Sequence, residues 1–229
     1  MKYIQKGLEP DEFTQWKKAK PKKYQSKDWK KLNPLPKKAL HDALLREQGY
    51  ICCYCERGIT KDNSHIEHFV PKKGQNADPN LTFEYQNLLC SCDGNARHSE
   101  NKGLTHCGIR KDDWFDAALM VSPLDKDCAG YFRYMMTGKI LPTDIPEKQT
   151  AALETINRCN LNHPMLKKMR QEALRRVALQ SLTDNITLLS DSLTQEEIYQ
   201  LIESYSQPDT KGRYTPFCTA ITYFLSTYY

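Results

Sequence analysis

Cys52 and Cys55 form a C-x-x-C knuckle, and Cys90, Cys92 and Cys107 follow before Lys111. A turn this tight brings two thiolates to within about 4 Å of a shared point, which is half of a tetrahedral zinc site. The other half must come from Cys90, Cys92, Cys107 or the neighbouring His106. The chain holds nine cysteines, an odd number, and no apolar leader lies in residues 1 to 20. A secreted framework of paired disulfides is therefore not expected, and thiols in the cytosol stay reduced. Structural zinc on Cys52, Cys55, Cys92 and Cys107 is the expectation. Cys90 is read as facing the core, and Cys53, Cys128, Cys159 and Cys218 as small buried apolar residues.

Between the cysteine clusters lie Glu67-His68, Pro71 and Asn87-Leu88. Glu67 is a hard oxygen ligand suited to a magnesium-type ion, and His68 can take a proton from water near neutral pH. Adjacent strand residues face opposite sides, so both reach one site only where a strand ends or twists, and Pro71 supplies such an end. Asn87 is placed to brace the intervening loop through its amide. A Glu-His pair alone is common on surfaces; between two cysteine clusters it points to catalysis. His41 and His163 carry no such signal, and His98 and Asn101 read as surface loop groups.

Charge is concentrated at one end. Residues 1 to 40 carry twelve lysines against four acids, a balance of +8, whereas the whole chain nets +5. Lys17, Lys18, Lys22, Lys23, Lys30 and Lys31 are interleaved with Trp16, Tyr24 and Trp29, a composition that suits a nucleic-acid backbone. A solvated arm without a ligand has the same composition.

In chain order, Pro21, Pro34 and Pro36 predict an extended basic arm over 1 to 36. Residues 37 to 145 form the expected core: a helix from Lys37 to Gln48 stopped at Gly49, a strand from His65 to Val70, a second strand near Asn87 to Cys90, a short helix from Trp114 to Met120, and a hairpin from Tyr131 to Leu141. Residues 146 to 229 read as a helical scaffold or docking region. Helices are predicted from Pro146, from Pro164, from a Thr194/Glu197 capping box and from Thr215-Pro216. No apolar run is long enough to span a bilayer, so a soluble cytoplasmic protein is expected.

Cys52-x-x-Cys55, Glu67-His68-x-x-Pro71, Asn87-Leu88, Cys92 and Cys107-x-x-x-Lys111 together resemble the HNH endonucleases. The I-E-H-F-V-P string, the C-D-G-N after the second strand and Leu161-Asn162 are most similar to the HNH component of Septu-type anti-phage defence systems, which also accompanies some retrons. The resemblance implies an α+β fold with a zinc-stapled ββα-metal (HNH) core. It makes His68 the general base, Glu67 a ligand of catalytic Mg2+ or Mn2+, and Asn87 the loop-bracing asparagine. It further implies a nuclease acting on DNA or RNA beside a partner ATPase, with a retron reverse transcriptase and its RNA/DNA product as further partners. The chain has no G-x-x-x-x-G-K-[ST] loop of its own. Many HNH nucleases carry Asn or His directly after the last knuckle cysteine, where this chain has Gly108. The insertion from 93 to 106 offers Asn95, His98, Asn101 and His106 instead, and Asn95 is the choice for the third catalytic ligand. The alternative function is a zinc-stabilised nucleic-acid-binding module, or an ATPase adaptor, without catalysis.

Overall fold

Phe13 and Trp16 lie three residues apart, one turn of a helix, and both are buried against Phe83 at ring-centroid distances of 6.5 and 5.1 Å. That burial folds the expected extended arm into helices. The computed structural model describes residues 1–96, 104–179 and 194–229. Within it, α1 (Asp11–Ala19) and α2 (Pro21–Gln25) precede a 3-10 turn at Trp29–Lys31 and α3 (Pro34–Glu47). Pro21 and Pro34 begin helices instead of preventing them, because a first-turn position needs no backbone N–H donor. Asp11 and Glu12 in the first turn of α1, with Lys17 and Lys18 in the last, also match the helix dipole.

The end of α3 is tied into the centre of the molecule by one side chain. Buried Gln48 donates to the carbonyls of Ile51 and Cys90, both at 2.9 Å, and accepts from the Cys90 N–H. Its amide thus does for the strand edge what a neighbouring strand would do. Gly49 then turns the chain with φ +57°, and a Cβ there would stand 2.4 Å from the Tyr214 ring.

Strands β1 (Ser64–His68) and β2 (Leu88–Cys92) pair antiparallel, with Ser64 opposite Cys92, Glu67 opposite Leu89 and His68 opposite Leu88. The first strand ends two residues sooner than its composition predicts. The Val70 N–H leaves the ladder and bonds the Asn87 side chain at 2.8 Å. A short helix, α4 (Cys107–Lys111), then docks on β2, where the Ser91 hydroxyl accepts from the Gly108 N–H at 3.1 Å. Residues 114 to 120 form turns and not the predicted helix. The Asp116 carboxylate captures the N–H groups of Ala118 and Leu119, a local bond that competes with helix propagation.

The hairpin expected over 131 to 141 is present as β3 (Phe132–Tyr134) and β4 (Ile140–Pro142). It is followed by α5 (Pro146–Arg158), α6 (Pro164–Leu179), α7 (Gln195–Ser206) and α8 (Cys218–Tyr228). Thr194 and Glu197 form the capping box of α7. The tail returns to the first knuckle: Glu56 accepts from the Thr219 N–H at 2.9 Å and pairs with the Met1 ammonium at 2.9 Å. One cluster of buried apolar residues runs from Phe13 through Leu40, Tyr54 and Leu88 to Ile156 and Leu225, across all three expected segments. The fold is a mixed one of helices with two small antiparallel sheets among the described residues. None of its described helices is long and apolar enough to cross a membrane.

Candidate metal centre and active site

The sulfur atoms of Cys52, Cys55, Cys92 and Cys107 all lie within 4.8 Å of one another and are buried. Tetrahedral zinc with bonds of about 2.3 Å requires sulfurs roughly 3.8 Å apart, and Cys55 and Cys92 stand at 3.9 Å. The knuckle supplies two thiols, the end of β2 the third and the start of α4 the fourth. A metal held there would join three chain segments: the knuckle, the end of β2 and the start of α4. The His106 Nδ1 atom is 3.2 Å from the Cys107 sulfur and 3.7 Å from that of Cys92, so the imidazole stands beside the cluster and outside the four-sulfur set. Cys53, Cys90, Cys128, Cys159 and Cys218 are all buried free thiols, and burial pushes each of them up from its ordinary pKa.

Glu67 and His68 occupy the last two positions of β1. Glu67 is buried, and its Oε1 atom meets the Lys111 ammonium and the Tyr54 hydroxyl, both at 3.1 Å. Its Oε2 atom faces His65 Nε2 at 3.3 Å. Burial alone would raise this carboxyl, but Lys111 and His65 outweigh it and hold the group at about 2. Lys111 also donates to the His68 backbone carbonyl at 3.2 Å, bridging the two neighbours.

His68 is fixed at both nitrogens. Its Nε2–H donates to the Thr82 carbonyl at 3.0 Å, which leaves the lone pair on Nδ1. The Lys72 ammonium donates to that Nδ1 at 3.0 Å. Burial, with Lys72 adding to it, lowers the imidazole to about 4, so the ring is neutral at physiological pH. Trp29 presses edge-on against it at 4.6 Å and stacks on Phe83 at 5.7 Å.

Asn87 spans the loop that carries these groups. Its carbonyl oxygen accepts from the Val70 N–H, and its amide donates to the carbonyls of Val70 at 3.0 Å and Leu81 at 3.2 Å. Asn95 was the expected third ligand. It sits at φ +67° in a turn beyond Cys92, and the partners of Glu67 and His68 among the described residues are other groups. His98 and Asn101 lie outside the described residues.

No family model matches this chain. Two relatives do. A Vibrio cholerae serotype O1 biovar El Tor protein, designated the candidate HNH endonuclease of retron Vc95, is 33% identical over 143 residues, covering 62% of this chain and 66% of that protein. An Escherichia coli protein, the candidate HNH endonuclease of retron Ec83, is 28% identical, covering 60% of this chain and 65% of its own length. The chain is a homologue of retron-named HNH endonucleases. It spans just under two thirds of the length of these relatives.

The basic segment of this homologue is divided between packing and solvent. Lys18, Lys22, Lys23, Lys30 and Lys31 are exposed, but Lys17 pairs with Glu9 at 2.6 Å. Trp16 is buried, and half-buried Tyr24 bonds Glu84 at 3.0 Å and packs on Phe83 at 6.0 Å, so two of the three interleaved rings serve the fold. Trp29 brings the segment to His68. Sequence reasoning missed Trp29, Lys72 and Thr82 as neighbours of the site, and it weighed His65 as an alternative base and not as the partner of Glu67. Lys72 sits four residues after His68, and His65 precedes Glu67 by two, the strand period that places both on one face; Trp29 and Thr82 carry no local signal.

Proposed function

We propose that this chain is an HNH-type, metal-dependent nuclease effector of a Septu-like or retron-associated anti-phage system, acting in the cytoplasm on DNA or RNA in complex with a partner ATPase. The observation that carries the reading is the state of His68: neutral, oriented by the Thr82 carbonyl, with its Nδ1 lone pair turned to the Lys72 ammonium. In this reading β1, β2 and α4 form the ββα-metal unit, and zinc on Cys52, Cys55, Cys92 and Cys107 staples it.

His68 Nδ1 takes a proton from the attacking water. For that the Lys72 ammonium must leave Nδ1, and a substrate phosphate offers it a stronger partner. Glu67 would hold a divalent ion, Mg2+ or Mn2+, which supplies charge neutralisation at the phosphate and the leaving oxygen. Asn87 keeps the loop between the strands in place. The exposed lysines of α1, α2 and the following turn contact the nucleic-acid backbone, and the helices after residue 146 dock the ATPase.

One contact favours a second reading. The buried Lys111–Glu67 pair already neutralises the carboxylate, as a non-catalytic nucleic-acid-binding or adaptor module would require. The two are separated with the partner complex, incubated with plasmid, phage DNA and total RNA with and without ATP. His68→Ala should lose about 10² to 10⁴ in cleavage rate while zinc content and substrate affinity survive. Equal cleavage by His68→Ala would remove the assignment.

A further inference from the structure

Gly108 lies directly against Glu67 and His65. A Cβ added at Gly108 would stand 2.5 Å from Glu67 Oε2 and 3.0 Å from His65 Nε2. Two ligand-type atoms therefore converge over bare backbone that any other residue would fill. His65 and Glu67 are two residues apart in β1 and share its face. Their facing atoms are 3.3 Å apart. Two cis ligands of an octahedral ion, each about 2.1 Å from it, are separated by about 3.0 Å, so a small movement admits an ion between them. Lys111 and Tyr54 take Glu67 Oε1, and among the described residues Oε2 has the His65 imidazole as its partner. His65 Nδ1 is buried without a hydrogen-bond partner, yet the side chain as a whole is 32% exposed, so the opposite edge of the ring reaches solvent.

We propose that His65 is a ligand of the catalytic ion, binding it through Nε2 together with Glu67 Oε2, with the remaining positions left to water and a substrate phosphate. This rests on the nuclease reading for the ion's purpose. Lys111 stays on Oε1 and offsets part of the carboxylate charge. A site with an imidazole and one partly neutralised carboxylate is softer than an all-oxygen one, and it binds Mn2+ ahead of Mg2+. Gly108 acts in the same site by having no side chain.

The test uses the full-length, zinc-loaded protein with Mn2+ as the probe, free Mn2+ being followed by electron paramagnetic resonance and zinc being quantified in parallel. Wild type should bind one Mn2+ with a nitrogen coupling from imidazole in its pulsed spectrum. His65→Ala should lose that coupling and weaken binding by about tenfold or more. Gly108→Ala should weaken binding as well, and His68→Ala should leave it unchanged. His65→Asp, which restores an oxygen donor, should recover binding with the Mn2+ over Mg2+ preference reduced. Mn2+ bound by His65→Ala as by wild type, or a wild-type spectrum without nitrogen coupling, would overturn the proposal. Loss of cleavage in His65→Ala with Mn2+ binding intact would also overturn it and leave the nuclease reading standing. Unimpaired cleavage by His68→Ala in the activated complex would instead sink that reading.

Discussion

Lys111→Met is the most informative single perturbation of the fold beneath the site. The Lys111 side chain is fully buried and that of Glu67 is 9% exposed, with their charged atoms 3.1 Å apart. Removing one partner of such a pair leaves an uncompensated buried charge, which costs about 3 to 5 kcal/mol. The carboxyl's own displacement gives a similar size: holding Glu67 at about 2 instead of its ordinary 4.5 corresponds to about 3 kcal/mol. That contribution is present above the unfolded value near 4.5 and fades as pH falls toward 2, so at pH 7 it is fully in force. For a chain of this length the loss should lower Tm by roughly 6 to 20 °C. The assay is urea unfolding at pH 7 with zinc present, on wild type, Lys111→Met, Glu67→Gln and the double variant. Each single variant should be strongly destabilised, and the double variant should be less destabilised than the two effects added, by about 2 kcal/mol or more. Additive effects would show that the two charges do not sense each other and would refute the reasoning.

Three further outcomes follow from the same geometry. One zinc should be found per chain by native mass spectrometry, and Ser at Cys52, Cys55, Cys92 or Cys107 should remove it and unfold the core; zinc retained by Cys107→Ser would move a ligand to His106. Charge reversal at Lys22, Lys23, Lys30 and Lys31 should flatten the salt dependence of DNA binding by roughly 0.9 per lost phosphate contact, whereas an unchanged slope would return these exposed lysines to solvent. Asn87→Ala removes three hydrogen bonds to the loop backbone and should cost at least about 2 kcal/mol in urea unfolding, with a native-like midpoint counting against the bracing role.

The four-cysteine cluster was legible in the sequence because its information is local. C-x-x-C dictates a turn, and Asn87-Leu88 at a fixed distance before Cys92 fixes which cysteine of the C-x-C pair reaches the cluster. The tail helices that open on Pro146, Pro164 and the Thr194/Glu197 capping box were legible for the same reason. What only the tertiary structure decided depends on partners far away in the chain. Pro21 and Pro34 read as breakers until Phe13 and Trp16 find Phe83, about seventy residues on, and burial makes helices of the arm. Residues with no motif of their own surround Glu67 and His68: Thr82 sets the tautomer of His68, Trp29 and Lys72 cover its ring, and His65 faces Glu67 over Gly108. Residue types and short spacings carry the chemistry a chain can do, whereas the burial and direction of each group come from packing, which no short window of sequence contains.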